Sequence, residues 1–140
     1  MRNLYIVFGH ALFGLAMLVP GSPEAQEVWV ITDSKHSVTG NATVDRRIEL
    51  DKAQQLEIEL SEQLPSDPQH AAALVQQRLE RGGPALQQRL RSAYQDVTDA
   101  WSLGIATLPA VLVDQSYVVY GEPNLDKALA RVAQYRRKTP

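Results

Sequence analysis

Gly104-Ile-Ala-Thr-Leu-Pro-Ala-Val-Leu-Val-Asp-Gln-Ser-Tyr-Val-Val-Tyr-Gly121 holds two runs of apolar, β-branched and aromatic residues around Asp114-Gln115-Ser116. Such side chains fit the pleated, half-covered surface of a strand, so the runs predict a hairpin closed by a short polar turn. Pro109 stands at the first residue of the first run, where a strand tolerates a missing N–H. Tyr117 and Tyr120 fall on opposite faces by the two-residue repeat, one toward a core and one toward solvent or a binding surface.

Upstream, Pro84 opens a helical pattern that runs to about Leu103. Leu86, Leu90, Ala93, Tyr94, Val97 and Trp101 recur on its apolar face, and Gly104 takes the position just past its end. Gly82-Gly83 separates it from a preceding helix that begins at the cap Asp67-Pro68 and ends near Arg81. Ala71, Leu74, Val75 and Leu79 are expected to point inward from that helix. Before it, Lys52 to Gln63 carries Leu56, Leu60 and the following Leu64 at a spacing of four, with Asp51 as the expected N-cap and Pro65 as the stop. Arg46–Leu50 reads as a strand with Ile48 and Leu50 on one face. Glu27–Thr32 is a nearly unbroken run of strand formers, which predicts a central strand covered on both faces. Downstream of the hairpin, Asn124 caps a last helix whose apolar face is Leu125, Ala128, Leu129 and Val132. Trp29 and Trp101 are assigned to the core.

Two short strands, helices, a hairpin and a closing helix predict an α/β domain with a central mixed sheet of about four strands. Helix, X-Pro loop, strand, turn, strand, helix is the order of the C-terminal half of a thioredoxin-like domain. Met1-Arg2-Asn3 is basic, Leu4–Val19 is apolar, and Pro20 to Pro23 break the run before the small residue Ala25. That is the pattern of a secretory signal peptide, residues 1–25, and the run is short for a membrane span. The remaining ~115 residues, 26–140, suffice for one domain with one core.

The formal net charge of −2 and the mixed signs leave no electrostatic footprint for nucleic acid. There is no cysteine. Thiol redox chemistry, thiolate metal sites, haem attachment and disulfides are therefore excluded by composition. His10, His36 and His70 are the three histidines, and none stands at the spacing of a metal-binding pair. No glycine-rich phosphate loop is present, since Gly82-Gly83 runs into Pro84 without a nearby lysine. No metal or cofactor is expected. Ser34 and Ser37 flank His36, which leaves a hydrolase as an alternative class, without the Gly-x-Ser-x-Gly elbow such chemistry usually needs. Thr107-Leu108-Pro109 is the other candidate. Only ~5–6% of X-Pro bonds are cis in folded proteins, so the residues themselves give trans. A proline loop at the mouth of a strand offers backbone donors and acceptors to an extended peptide.

Asp99-Ala-Trp-Ser-Leu-Gly-Ile-Ala-Thr-Leu-Pro-Ala-Val-Leu-Val-Asp114, with Tyr117-Val-Val-Tyr-Gly121, resembles a family of small exported proteins encoded on integrating conjugative elements. Val28-Trp-Val-Ile-Thr-Asp-Ser-Lys-His36, Ile48-Glu-Leu-Asp51 and the helix from Gln87 through Tyr94 are similar to the same family. The resemblance implies a thioredoxin-like fold, a place outside the cytoplasm and a part in conjugation or type IV secretion. A redox thioredoxin would carry Cys-x-x-Cys just after its first strand, where this chain has Asp33 to His36. The implied protein is a redox-inactive, non-enzymatic periplasmic binder of a protein component of the conjugation machinery. Its binding surface would join Asp33 and His36 to Thr107, Leu108 and Pro109. A structural subunit of the channel is a further alternative.

Overall fold

The computed structural model describes residues 25–139. The signal-peptide reading falls on residues outside that range, apart from Ala25. Four strands and three helices follow in the order β1 (Val28–Thr32), β2 (Arg46–Glu49), α1 (Lys52–Ser61), α2 (Pro68–Ser102), β3 (Ala110–Val113), β4 (Tyr117–Tyr120) and α3 (Leu125–Lys138). The strands form one mixed sheet in the order β2-β1-β3-β4. β2 runs parallel to β1, with Ile31 opposite Ile48. β3 runs antiparallel to β1, with Ile31 opposite Ala110, and β4 antiparallel to β3, with Val111 opposite Val119. The fold is the expected mixed α/β, thioredoxin-like arrangement, with β1 central. Asp114 and Gln115 close the β3–β4 hairpin with φ of 49° each, the left-handed backbone that a tight two-residue turn demands.

The sheet's two faces follow the two-residue alternation of its strands. On one face, Val28, Val30, Val111 and Val113 pack under Leu125, Ala128 and Val132 of α3. Asn124 caps that helix by accepting the Lys127 N–H at 3.0 Å. On the other face, Ile31, Ile48, Ala110 and Leu112 receive Ala100 at the C-terminal end of α2. Each fully buried Ile, Leu or Val contributes about 1.5–3 kcal/mol of transfer free energy, so these two layers hold the domain together. A third cluster joins Ala53 and Leu56 of α1 to Ala93 of α2, flanked by Leu86 and Leu90.

No helix follows β1. Residues 33–45 cross back to the start of β2 as an irregular segment, and Val38, Ala42 and Val44 cover the α3 face where a crossover helix would lie. The segment is tied to the start of α3 by main-chain bonds. Thr39 N–H donates to Pro123 O at 2.8 Å, and Leu125 N–H donates to Thr39 O at 2.7 Å. The Asp126 carboxylate accepts from the Asn41 and Ala42 N–H groups, each at 3.1 Å.

The two helices expected at Asp67–Arg81 and Pro84–Leu103 meet within α2 at a kink, where Gly83 leaves helical geometry (φ 57°, ψ −154°) and Pro84 supplies no N–H to the ladder. Three other expectations are corrected. Trp101 is 79% exposed, because Ala100 occupies the close seat on the sheet and the indole, one residue on, is turned to solvent. Asp51 stands at the N-cap position of α1 but caps nothing. Its carboxylate is drawn instead to the Ser34 N–H at 3.1 Å and the Gln55 side-chain amide at 2.9 Å. The inward set Ala71, Leu74, Val75 and Leu79 is only half-buried, since the first half of α2 has α1 alone to pack against.

Candidate functional site

The pairing of β1 with β3 puts the end of one beside the start of the other. Ile31 lies opposite Ala110, so the loop that leaves β1 and the loop that enters β3 emerge at the same end of the sheet. Leu50 N–H donates to Thr32 O at 2.9 Å, and Gly121 N–H donates to Pro109 O at 2.8 Å, which bring the ends of β2 and β4 to the same place. The five predicted site residues are thereby gathered at one end of the domain.

Asp33 and His36 form the first half. Asp33 Oδ1 accepts the N–H groups of Lys35 and His36, each at 2.9 Å, and lies 2.7 Å from His36 Nδ1. A short acidic side chain that bonds backbone N–H groups two and three residues on is a local turn device, and it fixes the loop without help from the core. Desolvation works to raise the Asp33 pKa, but the His36 ring and the N–H groups of Lys35 and His36 outweigh it and hold the carboxyl below its usual value. Thr32 Oγ1 donates to His36 O, closing the loop onto the end of β1. Ser34 is held through its N–H by Asp51, whose carboxyl is also kept low, chiefly by Ser34. Among the described residues no hydrogen bond joins Ser34 or Ser37 to His36, so the serine–base pair of the hydrolase alternative is not assembled in this geometry.

Thr107, Leu108 and Pro109 form the second half. Thr107 is exposed, Leu108 is half-buried against the Ile31 cluster, and Pro109 is buried. The Leu108–Pro109 bond is cis. The buried Pro109 ring supports the loop from beneath, while Thr107 and its neighbour Ala106 are exposed. The half-buried apolar side chains of Ile105 and Leu108 pack against the Ile31 cluster.

Arg46 is the charged residue that sequence reasoning missed. It extends from β2 to α2, where its guanidinium meets Asp96 at 2.6 Å and Asp99 at 2.5 Å, and it lies 4.6 Å from the centroid of the Trp29 ring. Trp29 is thus a half-buried platform under a cation, with its indole N–H donating to Glu27 at 2.7 Å. Only the opposition of Arg46 to Trp29 across the parallel pair, invisible without register, could have indicated it. The Gln95 side chain and Arg46 hold the Asp99 carboxyl below its usual value, as Arg136 and the Glu27 N–H do for Asp114. Carboxyls whose folded pKa is depressed lend stability above their unfolded value and lose it as pH falls through the lowered one. Urea midpoints should accordingly drop once pH falls below ~4, and the drop should be shallower in Arg46→Met, which releases Asp99. Equal slopes for the two proteins would show that this pair does not contribute.

Among the described residues no group of three His, Asp or Glu side chains is placed to hold a metal ion. No helix among them is long and apolar enough to cross a membrane. The arrangement offers a pre-shaped surface of two loops, one rigidified by its own carboxylate and one seated on a buried proline.

Neither a curated protein nor a solved structure matches the chain. One family model does, over residues 25–138, and its description is protein of unknown function (DUF1525). Its match begins two residues before the start of strand-forming Glu27 and ends at the last residue of α3, so it takes in every element of the fold. The chain belongs to the DUF1525 family.

Proposed function

We propose that this chain is a redox-inactive, periplasmic thioredoxin-like protein of an integrating conjugative element, and that it binds a protein partner in conjugative transfer or mating-channel assembly. The observation that carries the reading is the convergence of the Asp33–His36 and Thr107–Pro109 loops at one end of a sheet in which β1 is central. In a redox thioredoxin the first of these positions would hold the reactive thiols. Here the chain has no cysteine thiol to react, and what remains is a loop pair suited to hold an extended segment. Residues 1–25 serve as the export signal in this reading, and residues 26–140 act after its removal.

The absence of cysteine makes the test clean, because a thiol placed at Thr107 is the only one in the protein. A photocrosslinker on Thr107→Cys, in cells that carry the whole element, should yield one specific adduct with an element-encoded envelope protein. A label on Gln77→Cys, on the exposed side of α2, should give none. Thr107→Arg with His36→Ala should lower DNA transfer at least about tenfold while the protein accumulates at its normal level. Normal transfer by that double variant, with no adduct at 107, would remove both the surface and the function.

A further inference from the structure

The sheet has two edges among the described residues, and they are finished differently. β2 carries Arg46, Arg47 and Glu49, and charge on an edge strand discourages pairing with another chain. β4 reads Tyr117-Val118-Val119-Tyr120 and carries no charge. Gly121 N–H donates to Pro109 O at 2.8 Å, and this fixes the phase of the ladder beyond β4. Val119 and Tyr117 follow at two-residue steps opposite Val111 and Val113. In an antiparallel pair the alternation then points the backbone groups of 117, 119 and 121 at β3 and those of Val118 and Tyr120 outward. A cleft of about 400 Å³ runs beside that edge, between β4 and α3. Val118 belongs to its lining although its side chain faces the other side of the sheet, as expected if its outward peptide groups are what the cleft meets.

The chemistry of the wall identifies the occupant. α3 bears Lys127, Arg131, Arg136, Arg137 and Lys138 against Asp126 alone, in a chain whose formal charge is −2. Arg131 lines the cleft, paired to Glu122 at 2.8 Å. Arg136 lies over the Tyr117 ring at 4.6 Å and is paired to Asp114, so Lys127, Arg137 and Lys138 are the cations of the helix without a carboxylate partner among the described residues. A second copy docked edge to edge would set two such helices side by side, and their like charges would oppose it. We infer that the free edge of β4 takes up an extended, acidic segment of a partner protein as a fifth strand, its main chain bonded to Val118 and Tyr120 and its carboxylates facing α3. This is a strand-addition site, separate from the two loops discussed above, and it does not depend on their role.

The test uses the full chain and two fluorescein-labelled octapeptides of alternating threonine and valine, one with three aspartates substituted and one with three lysines. The acidic probe should bind, and the basic probe should bind at least about tenfold more weakly. Val118→Pro deletes an outward N–H without touching the β3 ladder, and should weaken the acidic probe about tenfold. Arg131→Gln, which keeps a donor for Glu122, should weaken it about threefold with an unchanged circular dichroism spectrum. Arg131→Gln and the comparison of probes decide the matter alone if Val118→Pro does not fold. Equal binding of both probes, binding of neither, or unaltered binding by the folded variants would overturn the assignment. A dimer seen by sedimentation that Val118→Pro abolishes would overturn it too, in favour of self-pairing.

Discussion

Ala100→Asp should abolish folding, while Trp101→Ala should leave stability within about 0.5 kcal/mol of the parent. The two residues are neighbours, and the contrast comes from the phase of α2. Ala100 is fully buried among the apolar side chains of Ile31, Ile48, Ala110 and Leu112. An isolated carboxylate moved from water into such surroundings costs many kcal/mol, and a domain of this size has only about 5–15 kcal/mol in total. Protonation would lessen the penalty without removing it, since the added volume has no space beside the sheet. Trp101 is 79% exposed and gives up little on truncation. Far-UV circular dichroism of the purified variants, with urea titration of Trp101→Ala, checks both. A stable Ala100→Asp with an unfolded Trp101→Ala would mean that α2 is rotated by one residue from the arrangement described.

That rotation is where the sequence was hardest to read. The helix was expected to bury Tyr94 and Trp101 with Leu86, Leu90, Ala93 and Val97. Aromatic size argues for burial in general, but a helix seated closely on a sheet needs small residues at the contact. Ala100 provides one against the sheet and Ala93 one against α1; they are the two buried residues of α2, leaving Tyr94 and Trp101 on the rim. The strands were legible for the opposite reason. A strand's period of two leaves one choice of face, and Val28, Val30, Val111 and Val113 alternate without conflict. The hairpin turn was legible as polar, and so was the break at Gly83. Of the candidate site, the local turn at Asp33 was legible and the contacts around it were not. Asp33 bonding its own loop is a local event that short acidic residues make familiar. Asp51 holding Ser34, and Arg46 holding Asp96 and Asp99, depend on contacts across the chain that no local pattern reports. Pro109 was expected to contact a partner, yet the buried ring supports the loop from below.

Gly40→Val should cost about 3 kcal/mol and loosen the segment that replaces the missing crossover helix. Gly40 has φ of 137°, a backbone state that is costly for any residue with a Cβ. A Cβ there would lie 3.0 Å from Leu125 Cβ and 3.2 Å from an Asp126 carboxylate oxygen. Both neighbours are fixed: Leu125 is buried in the core, and Asp126 holds the Asn41 and Ala42 N–H groups. Gly121 separates the two causes. Its φ is 73°, but a Cβ there would meet nothing within 4 Å, so Gly121→Ala should cost only about 1 kcal/mol of backbone strain. The excess in Gly40→Val then measures the contact with α3. Amide exchange should locate it. Thr39, Asn41 and Ala42 should lose protection in Gly40→Val, while Ile31 and Val111 in the middle of the sheet keep theirs. Uniform loss across the sheet would mean that the segment from 33 to 45 unfolds only with the whole domain. Loss confined to 38–44, with the Asp33–His36 bond kept, would show that the loop from Asp33 to His36 is set by its own carboxylate and the end of β1, independently of the cover over the α3 face.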